Sequence, residues 1–309
     1  MKKITSNLIL LGALMLTSNF SYAQDDVKAD SIYVRNNYEK IEQLIPMRDG
    51  KQLFTAIYIP KDKSKKYPVL LNRTPYTVAP YGANEYKKYL GNFPAEMREG
   101  FIFVYQDVRG KWMSEGDFDD VRPINTTKNK KAIDESTDTY DTLEWLAKNL
   151  KNYNQKAGIY GISYPGFYST MSLVNSHPTL KAVSPQAPVT NWFLGDDFHH
   201  NGVLFLADSF KFMSSFGVKR PQPITPDKGP KSLDFPIKDT YRFYLEGGSV
   251  KELKAKYFQD NIKFYNDLFA HPDYDQFWKD RDPLPHLKNV KPAVMTVGGF
   301  FDAEDAYGA

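Results

Sequence analysis

The most informative stretch of this chain is AGIYGISYPG, residues 157–166. Small and apolar residues up to Ile162 predict a buried strand, and Pro165 suits the first turn of a helix, which we expect over 165–176. A serine at such a strand-to-helix turn is held in a strained backbone conformation, with its hydroxyl above the edge of the sheet. Ser163 is therefore a candidate nucleophile. Pro165 stands where the common G-x-S-x-G pattern has its second glycine, so an ordinary turn is the alternative interpretation.

Strand and helix patterns alternate on both sides of this stretch. Residues 138–150 predict a helix, because apolar residues recur at helical spacing and Thr137 or Asp138 can cap its start. Continuous apolar runs predict further strands at 52–59, 68–72, 101–105, 180–184 and 293–297. Such runs are typical of parallel strands that are covered on both faces. The alternation predicts a doubly wound α/β sheet.

Residues 191–287 interrupt this alternation. They are rich in aromatic residues, prolines and charges, with helical stretches near 249–267 and 274–280. An insertion of this size between two sheet strands predicts a helical cap, flanked by the first part of the core at 24–190 and its continuation at 288–309. Some of its phenylalanines could line a pocket for an aromatic acyl group, although core positions are the simpler interpretation: Phe193, Phe198, Phe205, Phe210 and Phe212.

The first 23 residues have the pattern of a secretory signal peptide. Lys2 and Lys3 form a positive end, residues 8–16 are apolar, and small residues precede a cleavage site expected after Ala23. The apolar run is shorter than the roughly 20 residues that span a bilayer, although an uncleaved anchor is the alternative. We therefore expect a periplasmic or secreted protein that has no membrane association after cleavage.

Composition excludes several classes of protein. The chain has 309 residues with 41% hydrophobic and 25% charged residues, which excludes intrinsic disorder. It has no cysteine, which excludes disulfide frameworks, thiolate zinc sites and cysteine nucleophiles. The net charge is +3, and two of the positive charges belong to the leader, so no overall field favours nucleic acid. No metal site is expected, since none of the five histidines has the i, i+4 helical spacing beside a ligand carboxylate.

Five motifs, in the same order along the chain, resemble those of the cocaine esterase and X-prolyl dipeptidyl aminopeptidase superfamily. They are RTPY at 73–76, DVRG with SEG at 107–116, GISYPG at 161–166, GDDFHHNG at 195–202 and GGFFDAED at 298–305. The last two also resemble the α-amino-acid ester hydrolases of that superfamily. The resemblance implies an α/β-hydrolase fold with an inserted helical cap. It also implies that the fold is incomplete at the C-terminus, without the rest of the core and the family's C-terminal β-sandwich.

The resemblance assigns roles to single residues. Ser163 would be the nucleophile, Asp302 the acid that orients a catalytic histidine, and the Tyr76 hydroxyl and the Tyr164 N–H the oxyanion hole. Three carboxylates would bind the substrate's α-ammonium group: Asp197, Glu304 and Asp305. A cation does favour such a cluster, because neighbouring carboxylates repel one another. The alternatives are a helix-capping Asp302, a packed surface Tyr76, and solvated carboxylates.

The implied activity is hydrolysis of α-amino-acid esters and β-lactam amides through an acyl-enzyme, with aminoacyl transfer to β-lactam nuclei. The substrate would be a small amino-acid ester or β-lactam, and no cofactor is implied. No histidine follows Asp302, so the resemblance implies a catalytic histidine beyond residue 309 and an inactive fragment of an active parent. A homo-oligomer of that parent is left open. The alternatives are an X-prolyl dipeptidyl peptidase, a cocaine-esterase-like carboxylesterase, and, in another class, a non-catalytic binding module.

Overall fold

The computed structural model describes residues 26–301, apart from Lys128, Asp197 and Pro221, together with Gly308. The predicted signal peptide lies outside the described residues. Within them, no helix combines the length and the hydrophobicity that crossing a membrane requires.

A seven-stranded mixed sheet forms the centre of the molecule. Its strands are β1 (Tyr38–Pro46), β2 (Gln52–Pro60), β3 (Tyr67–Thr74), β4 (Ile102–Asp107), β5 (Tyr153–Ser163), β6 (Leu180–Pro188) and β9 (Ala293–Val294), in the order β1-β2-β4-β3-β5-β6-β9. In this order, the five neighbouring strands β4, β3, β5, β6 and β9 pair in parallel, whereas β1 pairs with β2 and β2 pairs with β4 in antiparallel fashion. All carboxyl ends of the parallel strands therefore meet at one edge. The predicted, mostly parallel α/β architecture is confirmed.

Both faces of the sheet are covered, which explains the continuous apolar runs. On one face, α3 (Glu135–Asn149) contributes Leu143 and Leu146 to a core with Val104 and Ile159, and α4 (Tyr164–Met171) follows β5. On the other face, α1 (residues 26–37) and α2 (Glu96–Glu99) close a second core. Side chains alternate between the two cores along β4, as the period of a strand requires.

Among the described residues, five α-helices lie between β6 and β9 and pack at the carboxyl edge of the sheet. They are α5 (Leu206–Phe216), α6 (Thr240–Gly247), α7 (Val250–Tyr257), α8 (Lys263–Ala270) and α9 (Gln276–Arg281), and a short hairpin of β7 (His199–His200) and β8 (Val203–Leu204) precedes them. Their aromatic core is continuous with Val108 after β4, Tyr164 after β5 and Val189 after β6. The helical segment thus covers the ends from which the predicted site residues emerge.

Several boundaries differ from the sequence predictions. Helix α3 begins at Glu135, because Asp134 rather than Thr137 or Asp138 caps it: its carboxylate accepts from the Thr137 N–H at 2.8 Å. Helix α4 ends at Met171, before the predicted end at 176. The stretch predicted as one helix over 249–267 is two, separated by positive-φ residues at 259 and 260.

Candidate active site

Ser163 occupies the sharp turn between β5 and α4. It is the last residue of β5 and the N-cap of α4, with φ 63° and ψ −124°, a conformation that L-residues other than glycine rarely adopt. The turn requires two glycines. A Cβ on Gly161 would lie 2.1 Å from the Pro165 carbonyl oxygen, and a Cβ on Gly166 would lie 2.8 Å from the Gln186 oxygen. Gly161 lets strand and helix approach, and Gly166 brings α4 against β6.

Tyr164 presents its backbone to the site and its side chain to the core. As the first residue of α4, its N–H has no acceptor within the helix. The ring is 2% exposed, and its hydroxyl accepts from the Val121 N–H at 2.8 Å and donates to Asp120 at 3.3 Å. Burial, reinforced by Asp120, raises the pKa of Tyr164 well above its usual value. The buried ring fixes the start of α4, and with it the direction of the N–H beside Ser163.

Tyr76 leaves the neighbouring strand at the same edge. Strands β3 and β5 are parallel, with Leu71 opposite Ile159, so the chain emerges from β3 within about one residue of the level of Ser163. The Tyr76 ring is 41% exposed and packs against Phe216 with 5.7 Å between ring centroids. The structure therefore brings Tyr76 and Ser163 to adjacent strand ends, as the predicted oxyanion hole requires.

The buried carboxylate of Asp107 holds the loop that follows Tyr76. It accepts from the Val78 N–H at 3.0 Å, from the Tyr81 hydroxyl at 2.8 Å and from the Met113 N–H at 3.3 Å. Burial raises the pKa of Asp107 to about 7, although these hydrogen bonds act in the opposite direction. The first residue of the DVRG motif thus supports the loop after β3.

Two arginines of the motifs are structural. The Arg109 guanidinium is 2% exposed and makes a two-pronged bond to Asp138, at 2.9 and 2.7 Å, and an ion pair with Asp49 at 2.7 Å. Arg73 is 1% exposed and donates to Gln106 at 2.8 Å and to Thr139 at 2.9 Å. Both arginines link the sheet to α3, which keeps the strand ends in place.

A cavity of about 770 Å³ opens beside Tyr76. Phe198, Phe205 and Phe212 line it, whereas Phe193 and Phe210 are buried in the aromatic core. Ser163 is not among its lining residues, so the cavity meets the site through Tyr76. The sequence predictions missed most of the other lining residues, among them Lys111, Trp112, Phe216 and Arg220. In the sequence, Lys111 and Trp112 are marked only by their position directly after the DVRG motif. Phe216 is marked only by its i, i+4 spacing from Phe212.

A family model for X-Pro dipeptidyl-peptidases (S15 family) matches residues 49–309. The chain belongs to this family. Among solved structures it is similar to an aminopeptidase from the marine sediment archaeon Thaumarchaeota archaeon, with 33% identity and a TM-score of 0.76, and to an α-amino acid ester hydrolase, with 31% identity and a TM-score of 0.77. Each match covers 88% of this chain and 44% of the other.

The cocaine esterase of Rhodococcus sp. (strain MB1 Bresler) is a more distant relative of this S15-family chain. It is 23% identical over 262 residues, which are 84% of this chain and 43% of the esterase. The chain thus spans less than half the length of these relatives. The α/β-hydrolase fold predicted for it is confirmed by the sheet together with the two similar solved structures.

Four predicted residues of this S15-family chain lie outside the described residues: Asp197, Asp302, Glu304 and Asp305. Asp196, beside the first of them, is fully buried and accepts from the Thr190 N–H at 3.0 Å. A backbone bridge from Gly195 to His200 shapes the same loop. The three carboxylates assigned to an ammonium group, and the triad acid, stay predictions.

Three histidines of the family member have partners away from the turn between β5 and α4 at Ser163, which we call the elbow. His177 precedes β6, at the opposite edge of the sheet, and bonds Thr179 at 2.8 Å and Glu144 at 2.9 Å. His199 bonds the Trp192 carbonyl at 3.2 Å, and His271 bonds Asp275 at 2.6 Å. Burial lowers the pKa of His199. In the part of the chain that the structure describes, no three histidine or acidic side chains form a group that could hold a metal ion.

Proposed function

We propose that the protein is a serine hydrolase that cleaves esters and β-lactam amides of α-amino acids through an acyl-enzyme on Ser163. One observation carries the proposal: Ser163 has φ 63° between a parallel strand and a helix N-terminus. A strained non-glycine backbone persists only where its surroundings impose it, and such positions concentrate at active sites. Gly161 and Gly166 allow the close packing around this turn, since a Cβ at either would push α4 away from the neighbouring strand.

In the proposed reaction the Ser163 hydroxyl attacks the substrate carbonyl. Its proton passes to a histidine that Asp302 orients, and that histidine returns the proton to the leaving group. The N–H of Tyr164 and the hydroxyl of Tyr76 hold the oxyanion. Water then releases the amino acid, or the amine of a β-lactam nucleus accepts the acyl group. The chain supplies the nucleophile and both oxyanion donors from two adjacent strand ends.

We propose that the histidine base belongs to a part of the protein outside these 309 residues. Three of the described histidines are hydrogen-bonded away from the elbow: His177, His199 and His271. The relatives are more than twice as long as the matched region.

The amino-acid substrate class has separate support. The two similar solved structures are named an aminopeptidase and an α-amino acid ester hydrolase, and both exceed 30% identity. A free α-amino group is common to the substrates those names describe. Asp197, Glu304 and Asp305 are proposed to bind it as a cation. The family model instead favours cleavage after an X-Pro dipeptide, which is the second candidate.

The test uses the intact protein with paired substrates. We expect phenylglycine methyl ester to be hydrolysed well and its N-acetyl derivative poorly, and a fluorophosphonate probe to label Ser163. Tyr76→Phe should lower kcat about 100-fold, because it removes one oxyanion donor, whereas the exposed Tyr89→Phe should not. Equal rates on the two esters would exclude an ammonium site, and preferential cleavage of Ala-Pro amides would favour the second candidate. An unlabelled protein would be a binding module.

We also propose that the protein is exported to the periplasm or the medium, on the pattern of residues 1–23. N-terminal sequencing of the mature protein should begin at Gln24.

A further inference from the structure

The walls of the cavity beside Tyr76 carry an excess of positive charge. Among the described residues, three cationic side chains line it, Lys111, Lys211 and Arg220, and one carboxylate, Asp208. Its volume of about 770 Å³ suits a small organic molecule. Two of the cations are withdrawn from bulk water: Lys111 is 5% exposed and Arg220 is partly buried.

Neither of these two cations forms an ion pair within the described part of the chain. The Lys111 ammonium donates to the Phe216 carbonyl at 2.5 Å and lies over the rings of Phe118 and Phe216. The Arg220 guanidinium donates to the Gly110 carbonyl and lies over the Trp112 ring. The Nη1 nitrogen of Arg220 is buried without a hydrogen-bond partner among the described residues.

Lys111 and Arg220 line the same cavity, and the charge of Arg220 acts on Lys111. Burial lowers the pKa of Lys111, Asp120 opposes that shift, and the charge of Arg220 reinforces it. Burial likewise lowers the pKa of Arg220 to about 10, against the attraction of Asp107. An anion that enters the cavity would stabilise such cations, because burial disfavours their charged form.

We propose that this cavity is a subsite for the carboxylate of the substrate's leaving group, with Arg220 as its principal ligand and Lys111 beside it. The planar guanidinium matches a carboxylate in a way that an ammonium does not. The inference rests on the proposed function. The positive walls repel the acyl half of the proposed substrate, which carries the ammonium group, so the cavity is assigned to the leaving group. The substrates are then α-aminoacyl esters or amides whose leaving group carries a free carboxylate, as that of a small peptide does.

Binding without turnover tests the subsite directly. With the intact protein carrying Ser163→Ala, titration calorimetry should show 3-hydroxybenzoate binding at least about tenfold more tightly than neutral 3-hydroxybenzamide, as expected of a charged hydrogen bond. Arg220→Gln should abolish that difference, and Lys219→Gln, which changes an exposed neighbour, should preserve it. Equal binding of the two ligands to the protein that keeps Arg220 would overturn the proposal, and this outcome does not depend on whether an Arg220 variant folds. A difference that survives in a folded R220Q protein would also overturn it.

Kinetics separates this proposal from the one on which it rests. The phenyl and 3-carboxyphenyl esters of phenylglycine differ in little besides the carboxylate, and kcat/KM should be about tenfold higher for the second, with a ratio near one in R220Q. Equal, Ser163-dependent hydrolysis of both by the unsubstituted protein would refute the subsite and leave the proposed function standing. Hydrolysis of neither would refute the proposed function, while the calorimetry still decides the subsite.

Discussion

Replacing Gly161 by alanine tests the geometry of the elbow most directly. Gly161 lies two residues before Ser163 in β5, and the space for its missing side chain is occupied by the backbone of α4. A Cβ there would lie 2.1 Å from the Pro165 carbonyl oxygen and 2.3 Å from its carbonyl carbon. Both atoms belong to the first turn of the helix, so no flexible side chain can move aside.

The expected loss of stability and of rate follows from that distance. Real Cβ contacts are rarely shorter than 3.0 Å, so the strand and the helix must separate by about 0.9 Å, the difference between 3.0 and 2.1 Å. Overpacking of this kind costs about 1–3 kcal/mol of stability. Ser163 lies between the displaced parts, and a misplacement of about 1 Å at a reacting group costs about 100-fold in rate. We expect Gly161→Ala to lose both stability and activity.

The assay pairs urea unfolding with kcat/KM on a phenylglycine ester. Gly158→Ala is the matched control in the same strand, because its Cβ would lie 3.4 Å from Leu70 and 3.8 Å from the Ala182 oxygen, both ordinary contacts. It should change stability by less than about 1 kcal/mol and leave the rate within a few-fold. If Gly161→Ala behaves like this control, the close approach of β5 and α4 does not hold Ser163, and our account of the elbow is wrong.

Two further predictions concern buried acids. Asp107 has a pKa of about 7 when folded against an ordinary 3.8, so the folded state binds its proton more tightly. The stability it contributes is complete below about pH 4 and is lost as the pH rises through 7. Between those values the native protein should lose up to about 4 kcal/mol relative to Asp107→Asn in urea unfolding, and parallel pH curves would contradict this. Asp134→Ala, which removes the N-cap of α3, should cost about 1–2 kcal/mol, and a loss below about 0.5 kcal/mol would argue against the cap.

The sequence predicted the elements whose signal is local. The central strands are continuous apolar runs because both faces of the sheet are covered, and β2 to β6 were predicted for that reason. Strand β1 was missed because it is not a continuous apolar run: at the edge of the sheet the polar Lys40 is buried, whereas Ile41 and Leu44 are exposed. The split between α7 and α8 was missed because it depends on the positive φ of Gln259 and Asp260, neither of which is a usual breaker.

For the site, the sequence predicted the position of residues that sit at strand ends, whereas the catalytic roles of these residues stay predictions. Ser163 ends β5, Tyr164 follows it, and Tyr76 follows β3. Parallel pairing brings such strand ends together whatever lies between them in the chain. The cavity could not be predicted in this way. Its walls come from α5 and from the segment after the DVRG motif, which are about 100 residues apart and meet only through tertiary packing, as the bond from Lys111 to Phe216 shows.

Phe216 connects the helical segment to the residues proposed as oxyanion donors. Its ring packs on Tyr76 and on Tyr164, with centroids 5.7 and 5.4 Å apart, and its carbonyl, at the C-terminus of α5, accepts from Lys111. A cation is favourable at that end of a helix. One residue therefore fixes the position of α5 and contacts both residues proposed as oxyanion donors. Residues of α5 also line the cavity, so the contact between Phe216 and Tyr76 lies between the cavity and the residues proposed as oxyanion donors.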